Sequence, residues 1–367
     1  MTYLVYLYYI ILPVLLFFGA KIMKKGEWND EVMSFDHTKA FLGFASIMII
    51  FHHASQRTCA PWLEPSRIHH GLDLFVYVGF LMVASFFFCS GYGLYTASRK
   101  EEFFNRFFIR RILPLLIPTV IMWFVFFFVE KARGINMPQP IIFTVYDYIW
   151  FIPAMIWMYL SFYVAFKLVK KESAQMPVLW IGVIFYIILA LFFSPGTWWY
   201  NTPHLFAVGV GLAKNKEKRF ERYKKGYALR IIIYTIVTLV CFSMASYYAE
   251  ITGGIFGIQY NPIFHGITEL TGQLISAYTF AILVMLIGLK VKIGNKVIRF
   301  LGGFTLETYI IHPFFVQAFG FQFMNHKAIY YIKNQFLYVL VIIVISIPLA
   351  YGMNKLMRLL KNNKKGG

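Results

Sequence analysis

The chain has 367 residues, of which 59% are hydrophobic and 20% aromatic, and its mean hydropathy of +0.63 excludes an ordinary soluble protein. A formal charge of +19 would suggest nucleic acid in a soluble chain, but most of the 35 basic residues fall in alternate joints between apolar runs, at 21–25, 99–111, 167–171, 214–230, 290–299 and 355–365. The other joints hold only Arg57, Arg67, Lys131, Arg133, Lys327 and Lys333. By the positive-inside rule this pattern is a topology signal, with the N-terminus outside and the C-terminus cytoplasmic, and nucleic acid is not an expected partner.

A bilayer crossing takes about 20 mostly apolar residues. In chain order such runs lie near 3–20, 40–56, 73–97, 112–130, 147–167, 177–193, 200–213, 229–249, 271–289, 300–320 and 335–354. The expected fold is therefore an all-α polytopic membrane protein of about eleven transmembrane helices. The first run is followed by Lys21, Lys24 and Lys25 with no small-residue cleavage site, so residues 1–26 read as a retained extra span before a main membrane domain over 27–367. Cys59, Cys89 and Cys241 have no metal-binding spacing and imply no disulfide framework. There is no phosphate-binding or dinucleotide glycine motif.

The second run, FDHTKAFLGFASIMIIFHHAS at 35–55, carries the first chemistry. In a helix Lys39, Gly43, Ser46, Ile50 and His53 fall within an arc of about 80°, whereas His52 points about 100° away from His53. A stripe with a cation, small residues and an imidazole suits either a polar cavity or a close-packed neighbour, and it selects His53 as the inward histidine. An interfacial position for both histidines fits the same residues. In the run 300–320, Thr305, Thr308 and His312 share an arc of about 60°, and Pro313 invites a bend beside the histidine. Glu307 lies about 140° from His312, so a hydrogen bond to a neighbouring helix is its simplest role. Asp36 and Asp73 are candidates to orient a histidine.

These segments, with three others, resemble the acyltransferase 3 family of integral membrane acyltransferases. Gly43 and His53 match the family's glycine and histidine, with Leu42 where a basic residue is expected and Lys39 one turn earlier. FFFCSGYGL at 86–94, FFNRFFIRRILPLLIP at 103–118, DYIWFIPAMIWMYLSFYVAFK at 147–167 and FLGGFTLETYIIHPFF at 300–315 match in order. The resemblance runs from 35 to about 350 and leaves the first span outside the usual pattern of about ten helices.

The resemblance implies transfer of an acyl group, commonly acetyl, from cytoplasmic acyl-CoA to a hydroxyl of an extracytoplasmic or membrane-associated acceptor, often a glycan of the cell envelope. It also implies residence in the plasma or inner membrane, with no permanently bound cofactor or metal. His53 is then the expected base and His312 a second catalytic candidate, since a neutral imidazole can take and return a proton. Arg106, Arg110 and Arg111 are expected to grip the donor's phosphates through guanidinium forks, with Lys39, Ser90 and Gly91 along the donor's route. Ser46, Trp150, Thr305, Thr308 and Glu307 are candidates to line the site. Each has a plainer reading: the arginines as interfacial anchors, the small residues as helix packing, the Trp as interface belt. A transporter or flippase of an amphiphile is the competing function.

Overall fold

The computed structural model describes residues 2–132, 149–193, 196–248, 250–255, 261–320 and 331–363. Arg133, Lys327, Lys364 and Lys365 lie outside them, as do the first two residues of the expected run at 147–167 and the last of that at 229–249. The described residues form helices α1 (Tyr8–Phe17), α2 (Phe35–Gln56), α3 (Gly79–Ser98), α4 (Leu113–Ala132), α5 (Phe151–Tyr163), α6 (Glu172–Phe193) and α7 (His204–Lys214). The series continues with α8 (Lys216–Lys224), α9 (Tyr227–Ser246), α10 (Pro262–Gly288), α11 (Lys296–Leu301), α12 (Thr305–Phe319) and α13 (Gln335–Asn363). Two short strands, β1 (Lys21–Ile22) and β2 (Val291–Lys292), pair antiparallel.

Seven helical stretches among the described residues are long and apolar enough to cross a bilayer: Asp73–Ser98, Phe108–Val129, Phe151–Leu168, Glu172–Phe193, Tyr227–Ser246, Pro262–Gly288 and Gln335–Leu360. The chain is a multi-pass membrane protein. The other four expected runs are helical as well, but each departs from a simple crossing. The apolar helix Tyr3–Phe17 is shorter, and α12 has 15 residues. The 22-residue α2 carries Lys39, His52 and His53, which lower its hydropathy. With 11 residues, α7 is only about 16 Å long, roughly half of a hydrocarbon core. Its start is fixed by Pro203, since a proline disfavours helical backbone at the residue before it.

Helix contacts in this bundle are made where side chains are smallest, as expected where lipid removes the hydrophobic drive for association and dispersion between close backbones takes over. A Cβ on Gly43 of α2 would lie 2.1 Å from the Ile298 carbonyl oxygen, and one on Gly302 would lie 2.0 Å from the Lys39 carbonyl oxygen, so α2 and α11 touch backbone to backbone. The same arrangement joins α3 to α7 through Gly91 against Phe206 and Gly209 against Phe88. Most of the buried apolar side chains fall into two clusters, one drawing on α3, α5, α6, α7 and α10, the other on α1, α11, α12 and α13, and a small third of Phe126, Phe314 and Ala318 joins α4 to α12. Helix α2 contributes to both large clusters, with Phe41, Ala45 and Ile49 in the first and Ile47, Ile50 and Ala54 in the second. It is the partition between two halves of the bundle.

Ser34 accepts a hydrogen bond from the His37 N–H and so caps α2, and Asn295 caps α11 through the N–H groups of Val297 and Ile298, satisfying donors that the first helical turn leaves open. The Asn295 side chain also donates to the Leu15 carbonyl at 2.7 Å, and Tyr8 Oη donates to the Phe336 carbonyl at 2.8 Å. The first helix is therefore fastened to both α11 and α13.

Candidate functional site

His53 lies 18 residues into α2 and His312 seven residues into α12, and the two helices bring them together. His53 Nδ1 is 2.8 Å from His312 Nε2, and the rings are nearly parallel, with centroids 5.0 Å apart and planes inclined by 7°. His312 is fully buried and His53 nearly so. On its other side, His312 Nδ1 is 2.7 Å from the Thr308 carbonyl oxygen. A carbonyl can only accept, so His312 Nδ1 carries a proton. In the neutral ring Nε2 is then an acceptor, and His53 must donate from Nδ1. The protonation pattern of the pair follows from one backbone carbonyl, and it leaves the lone pair of His53 on Nε2.

The rest of the stripe on α2 serves packing. Gly43 and Lys39 form the contact with α11, and the buried Ser46 donates to the Gly43 carbonyl at 2.8 Å. Lys39 Nζ reaches the junction between α11 and α12, 3.7 Å from the position a Cβ on Gly303 would take. Close by, the buried Glu307 accepts from Asn354 Nδ2 of α13 at 2.7 Å, which satisfies a carboxylate that could not otherwise be buried cheaply. Thr308 Oγ1 bonds the Phe304 carbonyl, and Thr305 opens α12. Neither Asp36 nor Asp73 orients the pair: Asp36 is exposed and Asp73 faces Arg67 at 3.9 Å. A backbone carbonyl does that work instead.

His52 takes the other direction. Its Nδ1 donates to the Phe75 carbonyl at 3.0 Å and its ring fills the space over Gly79, where a Cβ would lie 2.1 Å from Cδ2. It pins the end of α2 to the start of α3.

An aromatic wall connects the histidines to α5. The Tyr309 ring is 6.3 Å from His312 and 5.3 Å from Phe151, and Trp150 packs against Phe87 and Trp199. Tyr309 is absent from the expected site residues because a tyrosine in a 20% aromatic chain carries no signal of its own.

The three arginines do not share one helical face. Arg110 and Arg111 sit in a π-helical turn, Phe108–Ile112, that leads into α4. Arg106 precedes it in a left-handed backbone conformation with φ of 57°, so the spacing of four residues does not place it above Arg110. Arg106 and Arg110 are exposed, and Arg111 packs its guanidinium 5.2 Å from the centre of the Phe103 ring, a cation–π contact. Arg111 also lies near the half-buried Tyr159 of α5, whose hydroxyl is within reach of Ser90. Ser90, Tyr159 and Arg111 thus come together in a small polar cluster, of which Tyr159 alone was absent from the expected site residues. Gly91, beside it, is consumed by the contact with α7.

A family model described as an acyltransferase domain matches residues 41–355, a stretch that contains both histidines, all three arginines and α2 from Phe41 onward but not α1. No curated protein and no solved structure matches the chain.

Proposed function

The chain belongs to the acyltransferase 3 family, and from that premise we propose that it moves an acyl group, with acetyl as the default, from acyl-CoA on the cytoplasmic side to a hydroxyl of an extracytoplasmic or membrane-associated acceptor such as a glycan. The observation that carries this reading is the bond between His53 Nδ1 and His312 Nε2, backed by the Thr308 carbonyl.

In the proposed reaction His53 Nε2 takes the proton of the acceptor hydroxyl as its oxygen attacks the thioester carbonyl carbon. The positive charge that develops on His53 is shared through Nδ1–H with His312, whose ring stays neutral. Collapse of the tetrahedral intermediate breaks the carbon–sulfur bond, and the thiolate leaves with the proton that His53 had taken. No residue forms a covalent intermediate. Arg106, Arg110 and Arg111 are the proposed holders of the donor's phosphates, with Ser90, Lys39 and Tyr159 on the way inward and Trp150 along the aromatic wall.

The test is turnover of radiolabelled acetyl-CoA by purified protein in lipid vesicles, with and without a glycan acceptor. Label appearing on the acceptor, or slow thioester hydrolysis in its absence, supports the reading. Movement of an amphiphile across the vesicle with no thioester consumed would replace it with a transport function.

A further inference from the structure

One well-formed space in the bundle lies away from the histidines. A cavity of about 290 Å³ lies between α1, α2, α3 and α10, walled by Phe41, Met82, Phe88, Phe280 and Met285. Its face of α2 is about 160° around the helix from His53, counted from His37, so whatever occupies it is held apart from the reacting pair. One polar group among its walls has no use in the fold. His37 is more than nine-tenths buried, and its Nδ1 has no hydrogen-bond partner among the described residues. A buried imidazole nitrogen without a partner costs stability unless something supplies one.

The mouth of the cavity lies among exposed apolar side chains: Phe17 of α1 is 48% exposed and Ile287 of α10 is 39% exposed. On a multi-pass membrane protein such a mouth faces lipid. A shallow groove of about 470 Å³ along α9, lined by Tyr227, Ile231 and Ile232, shares Ile287 and Val291 with the cavity. Two apolar channels therefore run from one ridge. At that ridge the β1–β2 ladder sets Lys21 opposite Lys292, with Lys24, Lys25 and Lys290 beside them. The carboxylates nearby are Glu27, Asp30 and Glu31, of which Glu31 pairs with Lys292 and Asp30 with Lys224. Lys290 is held over the Trp28 ring at 4.0 Å. Lys21, Lys24 and Lys25 remain as exposed cations on this rim.

We propose that the cavity and the groove hold the two chains of one anionic phospholipid, which straddles Ile287 and Val291 with its head group on the lysines of the β ladder and an ester oxygen at His37 Nδ1. The size fits. A methylene group is close in volume to a water molecule, about 30 Å³, so the cavity takes on the order of ten carbons of one chain. Two channels meeting at a basic ridge fit a two-chain lipid better than a single fatty acid, and basic pockets between membrane helices are where acidic head groups bind.

The experiment is native mass spectrometry of the full chain released from vesicles of equal phosphatidylglycerol and phosphatidylcholine, with a parallel sample containing oleate. The expected result is one phosphatidylglycerol retained per chain, and retention at least about tenfold weaker in the triple variant Lys21→Gln, Lys24→Gln, Lys25→Gln. Ala281→Phe, which fills the cavity, is expected to abolish retention while the helical circular dichroism is kept. Should that variant fail to fold, the wild-type and lysine samples decide. Loss of all lipid from the wild type, equal retention of both phospholipids, or displacement of phosphatidylglycerol by oleate would each overturn the proposal.

Discussion

Helix α2 has two faces, and they reverse the usual association of polar residues with open space. The stripe of Lys39, Gly43, Ser46 and His53 is packed to backbone contact at one end and to ring contact at the other. The opposite face, with His37 and Phe41, borders a cavity of about 290 Å³. Small side chains let two helices close completely, whereas large rigid rings meeting from three helices leave a gap that no single rotamer can fill. The polar face of α2 is the dense one, and the aromatic face is the hollow one.

Four changes would sharpen or break that contrast. His53→Ala is expected to lower acetyl-CoA turnover by about 10²–10⁴-fold, the usual contribution of a general base, and unchanged turnover in folded variant would remove the base assignment. His312→Leu should cost about a hundredfold in kcat with donor KM unchanged. His312→Gln should recover part of that loss, because its amide oxygen can still accept from His53 Nδ1; equal losses in the two variants would mean that His312 acts through packing alone. Gly43→Ala forces a Cβ into the Ile298 carbonyl and is expected to cost about 1–3 kcal/mol, whereas Ala281→Val, which projects into the cavity, should cost less. Thermal melting of both in detergent checks this, and equal costs would show that the two faces are packed alike. Last, replacing Arg106, Arg110 and Arg111 together by Gln should raise donor KM about tenfold with kcat little changed; an unaltered KM would remove the phosphate site.

Much of the architecture could be read from helical period and hydropathy. The inward face of α2 and the polar stripe of α12 follow from counting residues, because a helix fixes the angle between its own side chains. What counting cannot give is how one helix docks on another. The pairing of His53 with His312 depends on that docking, and so does the role of Gly91, whose small size suits a ligand route and a helix contact equally. The group that sets the protonation of the histidines is the Thr308 carbonyl, which every residue type possesses and no sequence can mark. Arg106 and Arg110 are four positions apart, a spacing that would stack them on a regular helix, but the left-handed backbone of Arg106 breaks the phase between them. Tyr159 and Tyr309 were hidden among 25 tyrosines. The run at 200–213 is mostly apolar, yet the backbone does not become helical until Pro203 has been passed.

The contact between Gly43 and α11 has a consequence for how this helix can vary. Nine residues lie between Gly43 and His53, and both ends of that interval are clamped, one by a carbonyl oxygen and the other by an imidazole. The interval behaves as a gauge block. Inserting or deleting one residue within it turns one clamp by about 100° relative to the other, so the contact at Gly43 and the pair at His53 cannot both survive, even with every named side chain still in place. A substitution along 44–52 leaves the angle between the clamps as it is; a change in the number of residues between them does not.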